Sequence, residues 1–215
     1  MTGSDDADGE HRLPASVAIA LSVLLGLLLP EDLTLGPSIL TPIVVAAILV
    51  PLTLRAPRRA VREAGWLRGA ALVLLGVIAL SNAASLGYLV DHLVAGHASG
   101  TSLLQAALII WLQNVIVYAV VYWELDGGGP HLRAAGGDLR HDFLFPQLDV
   151  TAVAPPGWQP TFIDYLYVSF TNASAFSPTD TMPLTHAAKL LMLSQSLPSL
   201  ATIVLVTARA VNIIS

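Results

Sequence analysis

Residues 101–123 read TSLLQAALIIWLQNVIVYAVVYW, 23 positions without a charge, closed by Glu124. A helix crossing the hydrocarbon core of a bilayer needs about 20 mainly apolar residues at ~1.5 Å each. The run therefore predicts a membrane-spanning helix. Its apolarity is continuous, whereas strands of a membrane barrel alternate over about ten residues. A helix on the surface of a soluble protein would carry a polar stripe at helical spacing, and this run does not.

Four more charge-free runs surround it: Leu13–Pro30, Leu33–Leu54, Gly69–Val90 and Leu190–Ala208. Together they predict an all-α fold, a polytopic transmembrane helical bundle with five secure spans plus a sixth crossing or a re-entrant pore-like helix. Composition agrees with that reading. Hydrophobic residues make up 54% of the chain and charged ones 12%, about half the charged share of a soluble domain. The predicted organisation is an acidic tail over 1–12, a four-helix membrane region over 13–124, a connector over 125–160 and a C-terminal unit over 161–215.

Charge placement orients the spans. Arg55, Arg58, Arg59, Arg62 and Arg68 cluster between the second and third runs, which predicts a cytoplasmic loop and a cytoplasmic N-terminus. Four acids among the first ten residues (Asp5, Asp6, Asp8, Glu10) contribute to the net charge of −5. A secretory leader would carry basic residues there, so the first run reads as a retained span. No basic patch suits nucleic acid. The absence of cysteine excludes disulfides and thiolate metal sites.

Inside the runs, Asn82, Gln113, Asn114, Gln195 and Ser196 are intramembrane polar candidates. They serve either as interhelical hydrogen-bonding groups or as the lining of a polar pathway. Tyr118, Tyr122 and Trp123 read as an interfacial aromatic belt. The connector holds Gly127-Gly128-Gly129-Pro130, Gly136-Gly137 and Pro155-Pro156, which predicts loop. His131 and His141 within it read as solvated histidines without metal-ligand spacing.

Residues 161–183, TFIDYLYVSFTNASAFSPTDTMP, are too polar for a lipid-facing span. This stretch, followed by one apolar helix, resembles the pore helix, filter and inner helix of potassium channels. Asp164, Tyr167, Ser169 and Phe170 match the pore-helix start, Asp180 the acid after the filter, and Pro183 the proline that follows. The filter position, 175–179, reads AFSPT. Ser177 and Thr179 replace the filter glycines and Pro178 the aromatic residue, so the glycine-dependent carbonyl ladder is not formed.

The basic loop, the WLQNVIVYAVVYW span, the FLFP connector, DYLYVSF and the ARAVNII end also resemble a family of small bacterial multi-pass membrane proteins of unknown function. That likeness implies a location in the bacterial inner membrane.

Two functions stay open. One is a channel-like homo-oligomer, with four copies favoured, passing cations or small solutes. Its lining candidates are Asn172, Ser174, Ser177, Pro178, Thr179 and Asp180. The other is a non-conducting membrane scaffold, sensor or assembly partner in which the same segment packs the bundle. The lipid bilayer is the implied partner in both. No cofactor, metal site or catalytic residue is predicted: Ser177, Asp180 and His186 fit no nucleophile arrangement. The chain is not read as an enzyme.

Overall fold

A computed structural model describes residues 13–34, 65–95, 100–135, 140–149, 154–155, 157–174 and 180–214. Helix α1 spans Leu13–Leu27, α2 Gly65–Ala95, α3 Gly100–Leu125, α4 Pro130–Ala135, α5 Pro146–Asp149, α6 Phe162–Ser174 and α7 His186–Ile214. Two short strands, β1 (Phe143–Leu144) and β2 (Met182–Pro183), pair antiparallel with Phe143 opposite Pro183.

Helix α3 is the axis of the fold. It packs against α1, α2, α6 and α7. Its N-terminal half meets Leu86 and Leu89 of α2 together with Leu29 and Leu33. Its C-terminal half buries Tyr122 and Trp123 among Phe143, Phe145, Phe162 and Tyr165. Trp123 meets Phe162 and Tyr122 meets Phe143 at ring centroids 6.3 and 5.1 Å apart, distances at which aromatic pairs add attraction beyond area burial. Of the expected aromatic belt, Tyr122 and Trp123 are buried in the protein core and Tyr118 is partly buried.

The expectation of five secure spans is corrected. Among the described residues, two helices are long and apolar enough to cross a membrane, Thr101–Gly128 and His186–Ala208. The first expected run stops short: α1 has 15 residues, about 22 Å of helix against a ~30 Å core. Its last turn tightens through Leu28 N–H to Leu25 O and Leu29 N–H to Gly26 O, and Pro30 cannot continue the helix. The second expected run turns at Glu31–Leu33 in a 3-10 helix, and from residue 35 it lies outside the described residues. The third falls within α2, whose side chains are described only in part. Apolarity of Thr101–Gly128 also has a second source, since 56% of its most apolar stretch is buried in the protein, against 17% for His186–Ala208.

The element over 161–183 is shorter than a crossing. Helix α6 has 13 residues, roughly 20 Å, and is wedged between α3 and α7. Thr161 starts it: the Thr161 N–H and hydroxyl both donate to Asp164 Oδ2, at 2.7 and 2.8 Å, a capping-box arrangement. At its other end Trp111 Nε1 donates to Ala173 O at 3.3 Å.

The connector is more ordered than a Gly/Pro-rich loop predicts. Gly127, Gly128 and Gly129 all have positive φ, at 57°, 83° and 101°, which carries the chain sharply from α3 into α4. A Cβ at Gly128 would lie 2.5 Å from Leu132 Cδ1. Gly128→Ala is therefore expected to cost about 1–2 kcal/mol from left-handed backbone strain alone, measured as a lowered unfolding midpoint in detergent.

Candidate functional site

Two clusters hold much of the buried polar chemistry of the described residues. The first lies between α3, α6 and α7. Gln195 is fully buried and is its centre. Its Oε1 accepts from Tyr122 Oη at 2.5 Å and from Asn172 Nδ2 at 2.8 Å. Its Nε2 donates to Ser169 Oγ at 2.7 Å and Ser169 O at 2.9 Å. Ser169 Oγ in turn donates to Val115 O at 2.6 Å. Asn114 Nδ2 donates to Gln195 O at 3.0 Å and to Ser199 Oγ at 2.7 Å. Ser196 Oγ reaches Asn172 Oδ1 at 3.1 Å. Both ends of the Gln195 amide are thus satisfied inside one chain, which is what a buried polar network needs to stabilise rather than weaken a core.

The second cluster sits where α3 meets the connector. Asp126 is fully buried. Its Oδ1 accepts the backbone N–H of Asp142 at 2.6 Å and of Phe143 at 3.1 Å. Its Oδ2 accepts from Tyr165 Oη at 2.6 Å and lies 3.2 Å from His141 Nδ1. Arg133 Nη1 donates to Asp126 O at 2.5 Å, and the guanidinium lies 5.0 Å over the Tyr165 ring, within cation–π range. Asp142 extends the chain of bonds, since its Oδ1 accepts from Thr185 Oγ1 at 2.6 Å. Thr185 Oγ1 then accepts the N–H of Ala188 at 3.2 Å and caps α7.

These bonds tie the end of α3, the connector, α6 and the start of α7 into one unit. An imidazole held at Nδ1 by a buried carboxylate is also the arrangement that orients a base in hydrolases. Among the described residues, however, no group of three His, Cys, Asp or Glu side chains is placed to hold a metal.

The expected site residues fall into three groups. Asn114, Asn172, Gln195 and Ser196 are drawn together in the first cluster. Asn82 and Gln113 lie elsewhere: Asn82 Nδ2 donates to Ile110 O at 3.2 Å and Gln113 Nε2 to Ser22 O at 2.9 Å. Ser174 ends α6, its Oγ donating to Thr171 O at 3.1 Å, and Asp180 is exposed. Ser177, Pro178 and Thr179 lie outside the described residues.

Sequence reading missed the Asp126 cluster, because Gly-Gly-Gly-Pro after it signals loop. His141, expected to be solvated, is half-buried against Asp126.

Comparison with protein-family models, with curated proteins and with solved structures finds no match to this chain.

Proposed function

We propose that this chain is embedded in a membrane and acts there as a non-conducting scaffold or assembly partner, with α3, α6 and α7 as its rigid unit. One observation carries the reading: the polarity of the helices is inverted relative to a soluble bundle. On α7, Leu190, Leu193, Leu197, Leu200 and Val204 are each more than half exposed, while Gln195, Ser199 and Thr202 are buried. On α1, Val17 and Leu24 are exposed and Ser22 is buried. Water would penalise that arrangement strongly, whereas lipid favours it. Inward Gln195 and Ser199 bond to groups of α3 and α6, as packing groups in membrane helices do. The arginine cluster over 55–68 supports a cytoplasmic location for that loop.

Cation flux into liposomes tests the reading. Flux equal to that of protein-free liposomes is expected; flux that rises with protein and falls in Asp180→Ala would overturn it. Membrane embedding has its own check, retention in the membrane fraction after alkaline carbonate washing.

A second reading is the channel-like homo-oligomer, favoured by the short α6 lodged between α3 and the outward-facing α7. Exposed positions 190, 193, 197, 200 and 204 on α7 alternate in steps of three and four, the spacing of a helix-pairing seam. In that reading several copies would meet along α7, with 175–180 at the axis. The native chain has no cysteine, so Leu197→Cys supplies a single reporter. Disulfide-linked dimers in membranes are expected if α7 faces a second copy. Crosslinking no greater than at Leu24→Cys on α1 would count against the shared seam.

A further inference from the structure

The apolar helices reach their first charges at one common level. Helices α3 and α7 run antiparallel: Asn114 Nδ2 meets Ser199 Oγ at 2.7 Å, and Tyr118 Oη meets Ser194 Oγ at 2.9 Å. About one and a half turns beyond the second contact, the run of α3 ends at Glu124 and that of α7 begins after Lys189. Helix α2 lies antiparallel to α3, with Asn82 Nδ2 on Ile110 O and Leu86 and Leu89 against Leu103 and Ala106. Its start at Gly65, within the arginine-bearing stretch 55–68 of the sequence, therefore falls close to the same level.

Helix α6 enters from that end. Tyr165 Oη is bonded to Asp126, Ser169 Oγ to Val115 O and Ala173 O to Trp111 Nε1, so α6 descends from the end of α3 to about its middle. By Leu184 the chain is back where it started, since the Leu184 N–H donates to Asp142 O at 2.8 Å beside the β1–β2 pair. The two strands and the starts of α6 and α7 thus share one end of the bundle.

This end combines free cations with outward apolar side chains. Arg140 and Lys189 are exposed, and neither makes an ion pair among the described residues. The bond of Thr185 Oγ1 to Asp142, one turn before Lys189, brings Arg140 to the start of α7. Met182, Leu184, Leu190 and Leu193 flank these cations and are exposed. A basic side chain at the edge of a lipid-facing helix extends its charge to the headgroup level, where it attracts acidic lipid phosphate. Of the acids at this end, Asp126 and Asp142 already accept hydrogen bonds, and Asp180 is exposed. We propose that this end of the bundle binds the anionic phospholipids of one leaflet, with Arg140 and Lys189 on lipid phosphates and the four apolar side chains against the adjoining acyl chains. The proposal rests on the membrane embedding argued above.

The test uses the full chain in vesicles of equal parts phosphatidylglycerol and phosphatidylcholine. The native chain has no cysteine, so Leu193→Cys, one turn from Lys189, carries a single fluorescent label. Quenching by brominated phosphatidylglycerol against brominated phosphatidylcholine then reads which lipid lies beside it. One cation near the membrane surface contributes about fivefold, so a preference of about that size or more for phosphatidylglycerol is expected. Lys189→Gln and Arg140→Gln should each lower it several-fold, and Lys189→Arg should retain it. Equal quenching by the two lipids would overturn the proposal, as would a preference that survives Lys189→Gln combined with Arg140→Gln. A preference abolished by inorganic phosphate at constant ionic strength would also overturn it, making free phosphate the ligand. Quenching by neither lipid would overturn it too, and carbonate washing then separates the causes: only protein released by the wash is not embedded at all.

Discussion

Replacing Asp126 by alanine is expected to unfold the connector and release α6 from the end of α3. The substitution leaves Tyr165 Oη, the N–H groups of Asp142 and Phe143, and His141 Nδ1 without their acceptor. The bond from Arg133 Nη1 goes to the Asp126 backbone oxygen and survives the substitution. Leaving a buried donor unsatisfied costs about 1–3 kcal/mol, so several at once remove a large fraction of the stability of a domain. The measurement is thermal unfolding of purified protein, together with protease sensitivity between 125 and 160. Asp126→Asn keeps one acceptor oxygen and should lose less. A double-mutant cycle with Tyr165→Phe separates the direct bond from general disruption: a coupling energy near zero would show that Tyr165 and Asp126 are neighbours without a shared bond.

The second large effect belongs to Gln195→Ala. Its amide joins three helices through Tyr122 Oη, Asn172 Nδ2 and Ser169 Oγ. Removing it takes the acceptor from Tyr122 Oη, leaves Asn172 Nδ2 with Met192 O, and opens a void in a fully buried position. Interhelical hydrogen bonds in membrane proteins average about 0.6 kcal/mol and reach about 1.7. With four bonds lost and a cavity left, a loss of about 2–4 kcal/mol is expected. Gln195→Leu fills the volume and isolates the polar part of that loss. The observable is the unfolding midpoint, and an unchanged midpoint in Gln195→Ala would show that the network is not formed. Cation flux should stay at the protein-free level in both variants, because in the proposed reading Gln195 supports packing. A rise in flux would instead place Gln195 beside a wet pathway.

Both predictions rest on residues that the sequence shows in different lights. Gln195 was legible because a glutamine inside a charge-free run stands out. Its partners were not, since Ser169 and Asn172 come from a segment whose crossing or re-entry hydropathy leaves open. Asp126 was illegible in its role. It follows an apolar run and precedes three glycines, and both features point to an exposed turn. Only the fold shows that the glycines reverse the chain, so that Arg133, His141 and the N–H groups of Asp142 and Phe143 converge on the carboxylate.

The run 101–123 by itself determined that a long apolar helix organises this protein, because uninterrupted apolarity over that length has few other outcomes. It did not determine what covers that helix. Hydropathy averages over a window, so it cannot separate a helix buried by protein from one facing lipid. The tertiary structure makes that separation side chain by side chain. Tyr122 and Trp123 belong to a protein core, and α1 ends too soon to match the run that encodes it. Helix α7 turns Leu190, Leu193, Leu197 and Leu200 outward. Among the described residues two helices are long and apolar enough to cross a membrane, and they differ because apolarity is a property of residues, while burial is a property of the contacts the fold gives them.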